Sequence, residues 1–348
     1  MKKIKLGFVG GGFNGQIGFI ENFSKNNSCK IWGLAEVRTK LRKKISKKYK
    51  IKNQYLSHKD LIKDIEDYDG IVIVTRRNMM PAIAFDFLKL GKPVFTEKPM
   101  ASTFNQAKKL ISTAKKNKSL YKIGYNKIYD QGIKKGKEIF EKFKLNKKLG
   151  NVILIKSHRL SGDGYDKKNN YIKTIEGNFL AKPFWPSKPN WLPNKYKKSY
   201  EKYLNLYSHN INLIRYFTNI IPKVKFSDLS EKKMSTVIFD CGNYSAILET
   251  GFFTKKGWDE SFEIYFEKGS IKINLPPQHY KKKAAECIIY QNNKKKKISI
   301  KFKSWSFKRQ ADDFINDIKL NKVKTNNAFD IINDMKLIED VWKKFLKK

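Results

Sequence analysis

A regular alternation of short apolar runs and helical patterns over the first 125 residues constrains the fold more than any other feature of this sequence. The apolar runs have the length and β-branched content of buried strands, and they lie at Lys5–Val9, Ile31–Ala35, Gly70–Thr75, Pro93–Thr96 and Tyr121–Tyr125. Helical patterns of about ten to fifteen residues separate them. Since strands that alternate with helices build parallel βαβ units, the pattern predicts an α/β domain with a doubly wound parallel sheet over residues 1–125.

The pattern changes after residue 125. Helical spacing predicts helices at Gly132–Phe143, Tyr203–Phe217, Ala311–Ile318 and Ala328–Phe345. The runs between Val224 and Ile300 alternate as antiparallel strands do, and the lysine run Lys294–Lys297 is predicted to make a hairpin turn. The segment Ser161–Tyr203, which carries proline and tryptophan, is typical of a functional loop or lid. We therefore expect residues 126–348 to form an α+β domain with a large mixed or antiparallel sheet, whose C-terminal helices pack against the first domain.

A glycine-rich turn follows the first predicted strand. Gly10-Gly11-Gly12-Phe13-Asn14-Gly15 matches the pattern G-x-G-x-x-G between a strand and a helix. In that context Gly10 permits a tight turn, Gly12 lets backbone N–H groups approach a pyrophosphate at the helix N-terminus, and Gly15 lets helix and strand pack closely. A flexible glycine-rich turn is the alternative, but the position at the start of a βαβ pattern favours a dinucleotide site.

Glu36 supports the dinucleotide interpretation. It lies 21 residues past Gly15, at the end of the second predicted strand, where a carboxylate can accept hydrogen bonds from the adenosine ribose hydroxyls. A carboxylate there repels a 2′-phosphate, so the expected cofactor is NAD. The nearby basic residues Arg38, Lys40 and Arg42 keep NADP open.

A second motif carries a family resemblance. The segment Gly91-Lys92-Pro93-Val94-Phe95-Thr96-Glu97-Lys98-Pro99 resembles the Glu-Lys-Pro signature of the Gfo/Idh/MocA oxidoreductases, which include glucose-fructose oxidoreductase and inositol dehydrogenase. Lys98 follows a buried strand at the carboxyl edge of the predicted sheet, where open α/β folds place their ligands. The resemblance implies that Lys98 is catalytic and that Thr75, Glu97 and Lys98 contact the cofactor together with Gly10, Gly12, Phe13, Asn14, Gly15, Glu36 and Arg38. A surface lysine in a turn is the alternative.

The family also has a second-domain pattern, usually an Asp four residues before a His and another Asp three residues after it. This chain has Asn205, His209 and Asn212 at those places. The resemblance implies a catalytic and substrate-contacting role for His209 and a substrate contact for Asn205. Asn126 resembles a family position near substrate, although an Asn that caps a turn is an equal alternative.

Substrate class has weaker signals. By resemblance, the long segment neighbours the active site, and its aromatic residues Tyr165, Tyr171, Trp185 and Trp191 offer flat faces to sugar rings. Trp185 is predicted to contact substrate. Three basic residues, Arg159, Lys173 and Lys182, make a carboxylate or phosphate on the substrate plausible. A packed loop on the surface is the alternative.

Composition restricts partners and location. The formal net charge is +42, but it is spread along the chain, and only seven of the 74 basic residues are arginine; nucleic-acid readers favour Arg. We therefore expect no nucleic-acid partner. No run of 18 apolar residues occurs, so we expect no membrane association and a cytoplasmic protein. Cys29, Cys241 and Cys287 have no metal-ligand spacing, so no metal is expected.

Together these features predict an NAD(P)-dependent oxidoreductase that interconverts a secondary alcohol and a ketone on a sugar, inositol, sugar acid or nucleotide sugar. Lys98, with an ordinary pKa of about 10.4, either acts as base after that pKa is lowered or polarises the oxygen while His209 carries the proton. The resemblance implies that residues 126–348 bind substrate and form a homodimer or homotetramer. A non-catalytic NAD(P)-sensing regulator is the alternative, because Asn205 and Asn212 replace common carboxylates.

Overall fold

The computed structural model describes residues 2–162, 170–176, 185–230, 234–253 and 257–347. The chain forms two compact units, each built from separate stretches of sequence. The first unit comprises Met1–Tyr125, Lys168–Asn205 and Phe307–Met335, and the second comprises Asn126–Lys167, Leu206–Ser306 and Lys336–Lys348.

The first 125 residues contain six strands and five α-helices within the described range. In chain order these are β1 (Ile4–Val9), α1 (Glu21–Ser24), β2 (Cys29–Ala35), α2 (Thr39–Tyr49), β3 (Asn53–Tyr55), α3 (His58–Lys63), β4 (Gly70–Ile73), α4 (Met80–Lys89), β5 (Val94–Glu97), α5 (Phe104–Lys116) and β6 (Tyr121–Gly124). A π-helical stretch, Gly15–Ile20, runs directly into α1.

All pairings in the first sheet are parallel, in the order β3-β2-β1-β4-β5-β6. Every residue of β4, β5 and β6 is buried, as expected of parallel strands whose two faces are both covered by other elements. The predicted doubly wound sheet is confirmed. Its edge strand β3 was not predicted, because Asn53-Gln54-Tyr55 has no apolar run to mark it.

The remaining described residues form eight strands and five α-helices. They are α6 (Gln131–Asn146), β7 (Val152–Ser161), α7 (Lys197–Leu206), α8 (Ser208–Thr218), β8 (Lys223–Asp228), β9 (Ser235–Asp240), β10 (Ser245–Gly251), β11 (Trp258–Phe266), β12 (Gly269–Asn274), β13 (Glu286–Gln291), β14 (Lys294–Ile298), α9 (Ser306–Leu320) and α10 (Ala328–Leu346).

The second sheet has the order β14-β13-β12-β11-β7-β10-β9-β8. Only β7 and β10 pair in parallel; the other neighbours are antiparallel. The predicted large mixed sheet is therefore confirmed. None of the helices in the described ranges is long and apolar enough to cross a membrane.

The single helix predicted at Tyr203–Phe217 is wrong. The chain forms two helices there, and α7 already begins at Lys197, within the predicted loop. Tyr207 stands between them with φ −102° and ψ −5°, and its carbonyl accepts hydrogen bonds from the N–H groups of Asn210 and Ile211 at 3.0 and 3.1 Å. A new helical register therefore starts at Tyr207, with neither Gly nor Pro to signal it.

The lysine run was also placed wrongly. Lys294–Ile298 is the edge strand β14, and the turn before it is Asn292-Asn293, with φ values of 50° and 56°. Asn tolerates this left-handed conformation better than Lys does, so the turn forms at the two asparagines that precede the lysine run. Lysines along an exposed edge strand discourage pairing with another strand.

A buried ion pair joins β6 to α9 within the first unit. The Lys122 side chain is fully buried, and its Nζ donates to Asp313 Oδ2 at 2.6 Å, Asp317 Oδ2 at 2.5 Å and the Thr325 carbonyl at 3.0 Å. Burial raises the pKa of Asp317, and the Lys122 ammonium opposes that rise. The three acceptors match the three donors of an ammonium.

We predict that Lys122→Met destabilises the protein by about 3 to 5 kcal/mol, because it leaves the buried Asp317 carboxylate and the half-buried Asp313 carboxylate without their cation. Denaturant unfolding would measure the loss. The matched control is Lys135→Met, which removes an exposed pair with Glu138 and should cost at most about 1 kcal/mol. Equal losses for the two variants would contradict a special role for the buried pair.

Candidate functional site

The glycine turn after β1 has a conformation that demands glycine at two positions. Gly10 has φ +97°, and a Cβ there would lie 2.2 Å from the carbonyl oxygen of Val74. A Cβ on Gly15 would lie 2.7 Å from the Gly10 carbonyl oxygen. The turn therefore packs directly against the end of β4, beside Thr75, and the following helix packs against the turn.

Gly12 differs from its neighbours, because open space surrounds its backbone. The only described atom within 4 Å of a Cβ placed there is Arg38 Nη2, at 3.9 Å. The first helical hydrogen bond, from Gln16 N–H to the Gly12 carbonyl at 2.9 Å, begins at this point. Phe13 and Asn14 follow in the first helical turn. A small open cradle at a helix N-terminus suits a pyrophosphate, so the residues present fit a dinucleotide.

Glu36 and Arg38 form an ion pair at the end of β2. The Glu36 carboxylate is 5% exposed and accepts from the Gly11 N–H at 2.7 Å. Arg38 donates Nε to Oε1 at 2.8 Å and Nη2 to Oε2 at 2.9 Å. Burial acts to raise the pKa of Glu36, but the hydrogen bonds from Arg38 and Gly11 outweigh it, and the pKa is lowered. Glu36 is thus an ionised carboxylate beside the glycine turn.

Glu97, the last residue of β5, lies on the other side of the turn. Asn14 Nδ2 donates to its Oε1 at 3.5 Å, and Oε2 is buried without a hydrogen-bond partner among the described residues. Burial raises the pKa of Glu97 to about 7, and the charge of Lys98 opposes the rise. The carboxyl group therefore changes its charge near neutral pH, which is unusual for Glu.

Lys98 is held beside Glu97 and is 8% exposed. Its Nζ donates to the backbone carbonyl of Asn205 at 2.6 Å. Asn205 lies in the last turn of α7, where carbonyl groups lack helical partners and attract cations. The contact thus uses the backbone of Asn205, while the side chain of Asn205 is exposed.

Most of the predicted cofactor residues are brought together in the first unit. Gly10 packs against Val74 and Thr75, Arg38 borders Gly12, and Asn14 reaches Glu97. Arg77 lies two residues past Thr75. Its Nη1 is buried without a hydrogen-bond partner in the described part of the chain, and burial lowers the pKa of Arg77, opposed by Glu201.

The predicted substrate residues Asn126 and His209 lie in the second unit. Asn126 Nδ2 donates to Ser306 Oγ at 3.2 Å, and it opens the short 3-10 helix Asn126–Tyr129. His209 is 2% exposed and is the second residue of α8, a helix that is buried along nearly its whole length. Next to it, Asn210 Nδ2 donates to Ser157 Oγ at 3.1 Å and to Glu260 Oε1 at 3.4 Å.

Arg159 belongs to this buried polar region of the second unit. It is 5% exposed, its Nη1 donates to the Leu206 carbonyl at 2.5 Å, and its guanidinium lies 5.0 Å from the centre of the Trp258 ring. Glu260, opposite Arg159 in the sheet, forms an ion pair with Lys127. The second unit therefore buries several charged groups around one end of its sheet.

Trp185, which is predicted to contact substrate, packs against two helices of the first unit. Its ring packs on Phe85 of α4 at 5.5 Å and lies under Lys109 of α5 at 4.9 Å. These contacts favour the packed-loop alternative. Two other predicted residues of the long segment, Tyr165 and Lys182, lie outside the described residues.

Sequence reasoning missed Gln16 and Glu176. Gln16 is 1% exposed, and its amide is hydrogen-bonded in both directions to the backbone of Ile172. Glu176 accepts from the first backbone N–H groups of α2. Neither contact has a sequence signal, because the partners are more than 130 residues apart. Across the described ranges, no group of three or more His, Cys, Asp or Glu residues could hold a metal ion.

Residues 4–125 match the oxidoreductase family GFO_IDH_MocA, with an NAD-binding Rossmann fold. The uncharacterized oxidoreductase YrbE of Bacillus subtilis is 24% identical over 179 residues, which are 51% of this chain and 50% of that protein. Myo-inositol 2-dehydrogenase of Thermotoga maritima is 25% identical over 138 residues, 40% of this chain and 41% of that protein. The match spans half or less of the length of these curated relatives.

Solved structures share the fold at low sequence identity. Aldose-aldose oxidoreductase from Caulobacter crescentus, complexed with glycerol, is 15% identical with a TM-score of 0.77, covering 99% of this chain and 98% of that one. KijD10, a 3-ketoreductase from Actinomadura kijaniata in complex with NADP and TDP-benzene, is 12% identical with a TM-score of 0.76, covering 99% and 98%. An oxidoreductase from Agrobacterium radiobacter in complex with NAD+, L-tartaric acid and magnesium is 14% identical with a TM-score of 0.74, covering 99% and 97%.

The family resemblance stated on the glycine turn and on Glu97-Lys98-Pro99 is confirmed by these comparisons. Both motifs lie inside the matched range, and the two sheets agree with the solved structures. Residues 4–125 of the chain therefore match the Gfo/Idh/MocA oxidoreductase family through its NAD-binding Rossmann fold.

Proposed function

We propose that this protein is an NAD(P)-dependent oxidoreductase that interconverts a secondary alcohol and a ketone on a sugar-like substrate. The observation that carries the proposal is the buried Lys98 amine, held by the Asn205 carbonyl at the carboxyl edge of a sheet whose glycine turn fits a dinucleotide. Ligands of open parallel sheets bind at this edge. Residues 1–125 would bind the cofactor, and residues 126–348 would bind substrate and form a homodimer or homotetramer.

A bound nicotinamide supplies the hydride acceptor or donor. The contribution of the chain is to bind the substrate oxygen and to move one proton to or from it. The Asn205 carbonyl holds the Lys98 side chain in place. In ketone reduction the Lys98 ammonium would give a proton to the substrate oxygen, and in alcohol oxidation the neutral Lys98 amine would accept the hydroxyl proton.

Glu97 tunes this proton exchange in the proposed mechanism. Because burial raises the pKa of Glu97 to about 7, the group is largely neutral below that pH and adds little attraction for the Lys98 ammonium. Above it, the carboxylate favours the charged form of Lys98. Proton transfer at Lys98 would therefore depend on the charge of its neighbour in the chain.

His209 is proposed as the second proton-carrying residue, because imidazole titrates near neutral pH. Asn205 and Asn212 stand where the resemblance expects carboxylates, and a carboxamide accepts no proton in this range. The proposed mechanism therefore assigns proton transfer to Lys98 and His209. The same two asparagines favour the alternative of a cofactor-sensing protein without turnover.

For the substrate we propose a sugar, inositol, sugar acid or nucleotide sugar. The names of relatives support this class: one is a myo-inositol 2-dehydrogenase, one is an aldose-aldose oxidoreductase, and one was solved with L-tartaric acid. The buried guanidinium of Arg159 in the second unit favours a substrate with a carboxylate or phosphate. Asn126 and His209 would contribute further polar contacts to such a molecule.

We predict that Lys98→Ala lowers turnover at least about a hundredfold while leaving the dissociation constant of the cofactor within about twofold. A screen of sugars, inositols, sugar acids and nucleotide sugars, followed by NAD(P)H absorbance with both cofactors, would identify the substrate for this test. The control is Lys116→Ala, an exposed residue at the end of α5. Full activity of the Lys98 variant would remove that amine from the mechanism, and cofactor binding without turnover on any substrate would favour the sensing alternative.

We also predict that Glu97→Gln removes an inflection near pH 7 from the pH–rate profile of kcat. Glutamine has similar size and does not titrate, so the charge beside Lys98 would no longer change across this range. Steady-state rates between pH 5.5 and about 8.5 would measure the effect. An unchanged inflection in the variant would assign that titration to another group.

A further inference from the structure

Residues 170–176, here called the strap, lie against the glycine turn within the first unit. Gln16 Nε2 donates to the Ile172 carbonyl at 3.0 Å, and the Ile172 N–H donates to Gln16 Oε1 at 2.8 Å. The ring of Tyr171 meets the ring of Phe13 edge to face at 4.9 Å. Two independent contacts therefore hold the strap at the beginning of the helix that follows the turn.

The strap ends on the N-terminus of α2. The Glu176 carboxylate accepts from the backbone N–H of Lys40 at 2.7 Å and from that of Leu41 at 2.8 Å. Thr174 Oγ1 donates to the same carboxylate at 2.9 Å. Desolvation acts to raise the pKa of Glu176, but these hydrogen bonds together outweigh it, and the pKa is lowered. Glu176 is therefore an anion held where a helix N-terminus attracts negative charge.

This position matters because of what precedes α2. Glu36, at the end of β2, is the proposed acceptor for the adenosine ribose hydroxyls, and Arg38 follows it two residues later. A 2′-phosphate on that ribose would extend toward a nearby Arg and toward backbone N–H groups that can bind an anion. In this chain Arg38 is paired with Glu36, and the Lys40 and Leu41 N–H groups are taken by Glu176.

Glu36 alone does not decide between the cofactors, since Arg38 neutralises its charge. Glu176 lies near enough to Arg38 to act on it electrostatically. The hydrogen bond that Arg38 donates to Glu36 is the largest cause that raises the pKa of Arg38; the charges of Glu36 and Glu176 add to it, and desolvation of Arg38 opposes it. The cationic groups that would favour a 2′-phosphate are therefore already balanced by two carboxylates, one of which comes from the strap.

We propose that Glu176 is a specificity-determining residue that selects NAD over NADP, because its carboxylate occupies the anion position at the N-terminus of α2 that a 2′-phosphate would otherwise take. The inference rests on the proposed function, since it assumes a dinucleotide at the glycine turn. It assigns the choice of cofactor to a residue that is 140 positions away from Glu36 in the sequence.

The test is a fluorescence titration of the full chain with NADH and with NADPH. Glu176→Ala removes the charge and vacates the Lys40 and Leu41 N–H groups. The control is Glu267→Ala, which removes an exposed carboxylate held by Asn151. We expect the wild type to bind NADH more tightly than NADPH. The Glu176 variant should bind NADPH about tenfold more tightly than the wild type does, and its affinity for NADH should stay within about twofold of the wild-type value. The control variant should change neither affinity.

A second measurement on the wild type keeps the proposal falsifiable if the variant folds poorly. Salt screens the repulsion between Glu176 and a 2′-phosphate, so the preference for NADH should narrow as ionic strength rises. A preference that does not depend on salt would contradict the proposal.

The outcomes separate this inference from the proposed function. Tighter binding of both cofactors to the Glu176 variant would make the strap a cover for the whole dinucleotide site and would overturn the selectivity proposal alone. An unchanged ratio would return selectivity to Glu36 and Arg38. If the wild type binds neither NADH nor NADPH, the proposed function fails, and this inference fails with it.

Discussion

The approach of Gly10 to the carbonyl of Val74 is the constraint on which the candidate cofactor site depends. With a Cβ only 2.2 Å from that oxygen, no other residue fits at this turn. The turn consequently stays against the end of β4, and the ends of β2 and β5 flank it on either side of the same sheet edge. Three strands, and not one local motif, therefore bring together Glu36, Thr75 and Glu97.

Buried charge is used in two ways in the first unit. The Lys122 ammonium is fully matched by Asp313, Asp317 and a carbonyl, and its role is to connect a strand to a distant helix. Glu97 and Lys98 are also buried, but one oxygen of Glu97 has no partner in the described residues, and its pKa is raised. A satisfied pair stabilises a fold, whereas an incompletely satisfied pair at a sheet edge is typical of a site where a ligand completes the contacts.

The sequence predicted the parallel sheet, because its strands are continuous apolar runs and its glycine turn is local. A helical pattern was predicted between the second and third apolar runs, and Thr39–Tyr49 forms α2 there. Errors arose where the signal is weak or non-local. The break at Tyr207 has no Gly or Pro, the strand Asn53–Tyr55 has no apolar run, and the lysines of β14 resembled a turn although two asparagines make it. The strap contacts of Gln16 and Glu176 depend on tertiary structure alone.

The hydrogen bond from Lys98 to Asn205 has a consequence for how this region tolerates change. The acceptor is a peptide carbonyl, which every amino acid carries, and the amide side chain at position 205 is turned outward to solvent. Exchange of the side chain at that position therefore leaves the anchor of the amine intact, provided that the helix end keeps its shape. The position of the Lys98 amine therefore does not depend on which side chain residue 205 carries.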